Sequence, residues 1–405
     1  MNVLFITLIY IDDVNKGFVY TDLMRKFRDD GHSVYVISSS ERKLGVETSV
    51  HESDGVKILN VKTLNITKTN IVEKGLGTIS LEYLFIKAVK KYFKNIKFDL
   101  VLYSTPPITL AKIVGFIKKK NPSAISYLML KDIFPQNAVD IEMFGQGSVF
   151  YKYFRRKEKH LYKITDYIGC MSPANVEYVI KHNPEYPAKN VEVLANSIEL
   201  KENVEKDIAL KKEKRQFIRE KYGLPVDKPV FLYGGNLGKP QGIDYIIGCL
   251  EANKNRNDCY FVVVGSGAEY NKVESWFKQA NAKSVSLMKG LPKEDYDLLA
   301  QSCDVGLIFL DYRFTIPNYP SRLLSYMLAK MPVICATDVN TDIGRIAEQN
   351  GYGYWCESVK TEEFTILVNK MLASNISEMG QRGFDFMKAN YCVDQSYDTI
   401  MSHIK

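Results

Sequence analysis

Apolar residues fall along this chain in short unbroken runs, separated by longer segments in which they recur every three or four positions. The first run, Val3-Leu4-Phe5-Ile6-Thr7-Leu8-Ile9, has almost no polar break, as befits a strand covered on both faces of a parallel sheet. A polar loop through Lys16-Gly17 leads to a helix from about Tyr20 to Asp30, which Gly31 closes, and Ser33–Ile37 forms the second strand. Further strands are expected at Val56–Val61, Leu100–Tyr103, Ile125–Leu130, Tyr167–Met171 and Val191–Leu194, with helical spacing between them, including a helix over Leu81–Lys97. Residues Lys201–Lys228 are charged and poor in core residues, the composition of a linker.

The pattern then restarts. Pro229–Tyr233 reads as a strand, Gly234–Gly242 as a glycine-rich loop, and the following residues as a helix through Ile246. Strands at Tyr260–Val264, Val285–Met288 and Asp304–Phe309 follow, with a helix over Lys293–Ser302. In Ile316–Thr337, Pro317 and Pro320 bar helix, Ser321 stands where an N-cap belongs, and Leu323, Leu324, Met327 and Leu328 share one helical face. Pro332 stops that helix before the strand Val333–Ala336, and the tail from about Glu378 is helical again. The fold class is therefore α/β, with two doubly wound domains.

Composition narrows the picture. A chain of 405 residues with 46% hydrophobic and 25% charged residues suits two soluble globular domains. The formal charge of +7 lies wholly in residues 1–200, with 28 basic against 21 acidic side chains; residues 201–405 hold 26 of each. A basic half suits an anionic membrane surface, nucleic acid or a phosphorylated substrate, or simply solubility. Two basic, aromatic segments, Leu81–Lys97 and Tyr151–Lys157, either lie apolar side inward on acidic lipid headgroups or are ordinary helices with a solvated basic face. Seven scattered cysteines without a CxxC pair imply reduced thiols in the cytoplasm, and five dispersed histidines offer no metal-ligand spacing. No apolar run approaches the ~20 residues of a membrane span, and the first residues lack a secretory pattern, so a soluble or peripheral protein is expected.

The candidate chemistry sits at strand ends. Three glycines among Gly234-Gly235-Asn236-Leu237-Gly238 allow the backbone to approach an anion closely, and Lys239 adds a cation; a tight turn is the plain alternative. Arg322 in the first turn of its helix offers a fork of charged donors beside free amide groups. Gly17 could admit a ligand to the first strand-to-helix loop, though turn glycines are common there. Gly265-Ser266-Gly267 begins like GxGxxG, but Tyr270 replaces the third glycine, and no GxxxxGK[ST] occurs. Asp295-Tyr296-Asp297 is a literal DxD at a helix start and reads as coincidence. Asp132, after the strand ending at Leu130, could act as acid, base or hydroxyl acceptor, or merely cap a turn.

Together these residues resemble the GT-B glycosyltransferases, most of all the family 4 retaining enzymes that build bacterial capsule, O-antigen and exopolysaccharide. The likeness covers nearly the whole chain and rests on the order of several motifs: Gly31-His32-Ser33-Val34, Lys131-Asp132-Ile133-Phe134-Pro135, Leu194-Ala195-Asn196-Ser197-Ile198-Glu199, Tyr233–Gly238 with Gln241-Gly242, Val264–Glu269, and Pro320-Ser321-Arg322-Leu323-Leu324 with Tyr326-Met327. The resemblance implies two Rossmann-like domains facing across a cleft: an acceptor domain over 1–199, rejoined by a C-terminal helix at about 386–405, and a donor domain over 200–385. It implies that Gly235, Asn236 and Lys239 hold the diphosphate of a nucleotide-sugar, UDP-linked by preference, with Arg322 and the amides of Ser321 and Leu323, and that Gly17, Gly238, Gln241, Gly265 and Asn318 also belong to the donor site. Gly290 and Leu291 would face the base, Ser325 could bond a ribose hydroxyl of the donor, and Asp132 would face the reacting sugar or acceptor hydroxyl. No metal or other cofactor is implied, because donors fixed around the leaving diphosphate take up its growing charge.

Two glutamates eight residues apart in the family pattern are Pro317 and Ser325 here, and the basic residue before the glycine of the donor loop is Gln241. The resulting expectation is a retaining hexosyltransferase-type enzyme using a polysaccharide or polyprenyl-diphosphate-linked acceptor at the inner membrane face, with no nucleic-acid partner. Two alternatives stand beside it: a nucleotide-sugar 2-epimerase, against which the sparse histidines count, and a non-catalytic GT-B subunit of another transferase, which the missing glutamates suit.

Overall fold

The computed structural model of the protein describes residues 1–16, 19–67, 69–200 and 214–404, with 71, 72 and 74 as backbone alone. Gly17 and the linker up to residue 213 lie outside the described residues. The chain divides into two units, Met1–Glu199 with Val393–Lys405, and Leu200–Cys392.

The first unit is a sheet of eight strands: β1 (Asn2–Ile6), β2 (Ser33–Glu41), β3 (Ser49–Ser53), β4 (Val56–Thr63), β5 (Leu100–Ser104), β6 (Ile125–Leu130), β7 (Tyr167–Cys170) and β8 (Val191–Val193). Their order is β3-β4-β2-β1-β5-β6-β7-β8, and all neighbours are parallel except the edge pair β3 and β4. β1 ends three residues earlier than its apolar run, because the Thr7 hydroxyl accepts the Ile9 N–H at 3.1 Å and turns the chain. β3 escapes the sequence pattern: Ser49-Val50-His51-Glu52-Ser53 is a half-exposed edge with a single apolar residue.

Helices cover both faces: α1 (Val19–Asp29), α2 (Ile71–Tyr92), α3 (Ala111–Lys120), α4 (Gln136–Asp140), α5 (Val149–Ile164) and α6 (Pro173–His182). α2 begins ten residues before the expected Leu81, where Asn70 caps it by accepting the Glu73 N–H at 2.9 Å, and it ends at Tyr92. Gly75 and Gly77 had masked its first turns, since glycine disfavours helix interiors.

The second unit is wholly parallel: β9 (Val230–Asn236), β10 (Tyr260–Ser266), β11 (Val285–Lys289), β12 (Val305–Phe309), β13 (Val333–Thr337) and β14 (Gly353–Glu357), ordered β11-β10-β9-β12-β13-β14. Its helices are α7 (residues 214–221), α8 (Ile243–Asn253), α9 (Tyr270–Ala280), α10 (Lys293–Ser302), α11 (Arg322–Leu328), α12 (Ile343–Gln349), α13 (Thr361–Leu372) and α14 (Ile376–Asn390). Phe231, Phe261, Phe309 and Phe364 fill the core between sheet and helices. Strand order reverses between β9 and β12, and in such sheets ligands bind beyond the strand ends at that reversal.

The last helix, α15 (Val393–Met401), belongs to the first unit, whereas α14 stays in the second; the returning segment starts at Val393, not at about residue 386. The Val393 N–H donates to the Ile198 carbonyl at 3.0 Å, Tyr397 bonds His32 at 2.9 Å, and Val393 and Ile400 enter the core beside Phe27. Among the described residues, no helix is long and apolar enough to cross a membrane.

Candidate functional site

In the second unit the candidate residues gather along the C-terminal edge of the sheet. Gly234, Gly235 and Asn236 are not loop, as their glycine content suggested, but the end of β9, paired with Val264, Gly265 and Ser266 of β10. The glycines make this pairing possible. A Cβ on Gly265 would lie 2.1 Å from the Gly235 carbonyl oxygen, and one on Gly234 would lie 2.0 Å from the Tyr296 hydroxyl. Gly235 itself has φ +131°, which side chains rarely tolerate.

The true turn is shorter, spanning Leu237 to Gly242 with a 3-10 turn at Lys239–Gln241. Gln241 is buried and points inward: its Oε1 accepts the Gly238 N–H at 3.2 Å and the Asn236 side-chain amide at 2.9 Å. It therefore shapes the turn rather than facing outward, while Asn236 and Lys239 are exposed. Beside β10, Gly290 and Leu291 follow β11; a Cβ on Gly290 would sit an ordinary 3.7 Å from Ser266 Oγ.

Arg322 opens α11 and reaches back to the β9 end. Its guanidinium lies over the Tyr233 ring at 4.6 Å from the centroid, and a Cβ on Gly235 would be 3.3 Å from its central carbon. Among the described residues no carboxylate pairs with it, and its buried Nη1 has no hydrogen-bond partner. A half-buried, unpaired cation lying against a glycine strand end is an arrangement that an anion completes.

Tyrosines hold this arrangement. The Tyr326 hydroxyl accepts the Gly234 N–H at 3.1 Å and donates to the Leu307 carbonyl at 3.2 Å, while Tyr296 packs on Gly234. Burial pushes the Tyr296 hydroxyl up to about 12, against the nearby Arg322 charge, so it stays neutral. In the sequence Tyr326 stood only within a motif and Tyr296 only inside the DxD, and neither carried a role, because nothing in local spacing reports a contact across the sheet. The flanking DxD is ordinary surface, with Asp295 paired to Lys221 at 3.0 Å and Asp297 to Lys293 at 2.7 Å.

The helix start differs from its expected form. Ser321 is already in helical geometry (φ −62°, ψ −17°) and makes no side-chain cap. The Leu323 N–H donates to the Pro320 carbonyl at 3.2 Å, so that amide is engaged, not free for phosphate. Asn318 is tied down by its own N–H, which donates to Thr341 Oγ1 at 2.9 Å, while its buried Nδ2 lacks a partner. Thr341 in turn bonds Asp338 at 2.9 Å, and burial pushes the Asp338 carboxyl up to about 6. Pro317 is buried, and Ser325 is half-buried one turn along α11 from Arg322.

In the first unit, Asp132 follows β6 and is half-buried. Thr105 Oγ1 accepts the N–H groups of Lys131 (3.1 Å) and Asp132 (3.4 Å) and fixes the turn, while Asn137 Nδ2 donates to Asp132 Oδ1 at 2.7 Å. Burial pushes the Asp132 carboxyl up to about 6, against the opposing Asn137 bond. Lys131 is driven down to about 7 by burial, and its Nζ donates to the Leu194 carbonyl at 3.2 Å. Such a carboxyl can exchange a proton near neutral pH. Among the described residues no group of three His, Cys, Asp or Glu is placed to hold a metal ion.

Comparison with known proteins bears on this arrangement. Residues 214–382 match the family described as Glycosyl transferases group 1. The chain is 24% identical over 330 residues to a probable glycosyltransferase, WbjE, of Pseudomonas aeruginosa, covering 80% of this chain and 78% of the relative. It is 25% identical over 135 residues to WcaI of Escherichia coli K12, described as a putative colanic acid biosynthesis glycosyl transferase, covering 32% of each. The structure of Anabaena HepE in complex with UDP-glucose superposes with a TM-score of 0.69 at 14% identity, covering 99% of this chain and 100% of that one, and so shares the fold.

Proposed function

Because this chain is a glycosyltransferase carrying a group 1 domain over residues 214–382, we propose that its second unit binds a nucleoside-diphosphate sugar at the β9 end and Arg322. The reading favours a UDP-sugar, a retaining reaction without metal, and a polysaccharide or polyprenyl-diphosphate-linked acceptor at the inner membrane face. The observation that carries it is the Arg322 guanidinium, without an acidic partner among the described residues, lying against Gly235 where the strand order reverses.

In the reaction the bond between the anomeric carbon and the diphosphate oxygen breaks, and a bond to the acceptor oxygen forms. The diphosphate leaves with increasing negative charge, which Arg322, Lys239 and the amides about Gly235 and Asn236 take up. Asp132 is assigned to the reacting sugar or the acceptor hydroxyl, where its raised carboxyl pKa suits proton exchange. Support for the polysaccharide setting comes from WcaI, whose description names colanic acid, and support for UDP from the HepE complex.

The test is sugar transfer from a panel of UDP- and GDP-sugars onto a polyprenyl-diphosphate-linked glycan. Transfer with retained anomeric configuration in the presence of a chelator supports the reading. Nucleotide release that never depends on acceptor contradicts it.

A further inference from the structure

The basic helices of the first unit do not offer the apolar faces that their sequence suggested. Phe85, Val89 and Phe93 are buried in the unit's own core. A different apolar set is exposed, one turn or more before each basic run. On α2, Leu76, Ile79 (70% exposed) and Tyr83 (68%) recur at three- and four-residue spacing, and Lys87 and Lys90 continue the same outward stripe. On α5, Val149 (81%), Phe150 (66%) and Tyr153 point outward, followed by Arg156, His160 and Lys163.

The two stripes lie on neighbouring helices. Both α2 and α5 pack on α3, and Glu82, next to Tyr83, feels the charges of Lys157 and His160. Every acid of these two helices is engaged away from the stripes. Glu82 is buried and accepts the Lys112 N–H, Glu158 is buried against Arg155 at 2.6 Å, and Glu73 is tied to Arg42 at 2.9 Å. Near the C-terminal end of α2, Lys90 and Lys120 of α3 both stack on Phe116, at 5.3 and 5.1 Å, adding to the positive field.

We propose that the outward stripes of α2 and α5 form a docking face for an anionic phospholipid bilayer, with Leu76, Ile79, Tyr83, Val149 and Phe150 entering the headgroup boundary and the lysines and arginine that follow meeting lipid phosphates. Amphipathic helices lying in the interface bind by this combination of apolar insertion and cation-to-headgroup attraction. A second copy of the chain is the poorer occupant, because a self-contact would set like-charged stripes against each other. The face deepens the lipid-linked acceptor reading but rests on the first unit's surface alone, so it is tested without donor or acceptor.

The full chain is mixed with phosphatidylcholine vesicles with and without phosphatidylglycerol, and bound protein is measured by flotation. Binding to the anionic vesicles that falls as salt rises is expected. The variant Ile79→Ser/Tyr83→Ser/Phe150→Ser should lose at least ~10-fold in vesicle partition. Lys87→Glu/Arg156→Glu should lose a similar ~10-fold. Both should keep wild-type melting and UDP binding, since the side chains are exposed in the first unit. Equal partition of wild type and both variants, or no binding to anionic vesicles, overturns the proposal. So does a wild-type dimer by light scattering that the apolar variant dissociates, which would make the face a protein interface. Loss of UDP binding in the wild type would instead strike the donor-site reading and leave this one standing.

Discussion

Arg322 is the residue on which the donor site turns. Removing its guanidinium takes away a half-buried cation that stacks on Tyr233 but has no carboxylate partner among the described residues, so Arg322→Ala should leave melting within a few degrees of wild type while weakening UDP binding ~10-fold or more by calorimetry. Unchanged affinity would remove it from the site. Asp132 makes a prediction with a sign. Its carboxyl titrates at about 6 in the folded chain against 3.8 for an ordinary aspartate, so between those values the folded state binds more protons. Stability contributed by the group is thus present below about pH 4 and is lost as pH rises to about 6. Asp132→Asn should therefore gain up to about 3 kcal/mol near neutral pH, nothing in acid, and lose most of its turnover. Denaturant titrations at the two pH values check the first part, and transfer rates the second. In the sequence Asp132 stood out as a charge just after a strand and Arg322 as one in the first turn of a helix. Of the partners that tune them, Asn137 gave no sign in the sequence and Tyr233 none beyond its place in a motif.

At the level of elements, β9 and its glycines decide the geometry. Gly265→Ala places a methyl group 2.1 Å from the Gly235 carbonyl, and neither strand can move without breaking the ladder, so a loss of about 1–3 kcal/mol is expected. Gly290→Ala meets nothing closer than 3.7 Å and should melt like wild type. Parallel thermal scans compare them. Strand and helix types were legible because apolar periodicity follows directly from which faces are covered. What misled was glycine: it signalled loop at Gly234-Gly235, where strand pairing with β10 overrides local preference, and it hid the start of α2 at Gly75 and Gly77. The apolar positions of α2 were open to lipid or to the protein's own core; Phe85, Val89 and Phe93 go to the core, and the outward residues are others.

Over the whole molecule, the chain leaves the first unit at Glu199 and returns to it at Val393. α15 is then part of the first unit's core, and Ile400→Ala should cost about 2–4 kcal/mol by chemical denaturation, as for other fully buried aliphatic side chains. The basic excess of residues 1–200 was visible by counting, but its distribution into two outward stripes was not, since only packing tells which lysines share a face with which apolar groups. By itself the sequence determined the α/β class, two doubly wound units, most of their strands and the order of motifs that resemble a glycosyltransferase. These properties act between residues close along the chain. The tertiary structure alone decided that Arg322 meets Gly235, that Tyr326 holds Gly234 across 92 positions, and that Gln241 turns inward. Contacts made by strand order and helix packing join residues far apart in sequence, and no local spacing records them.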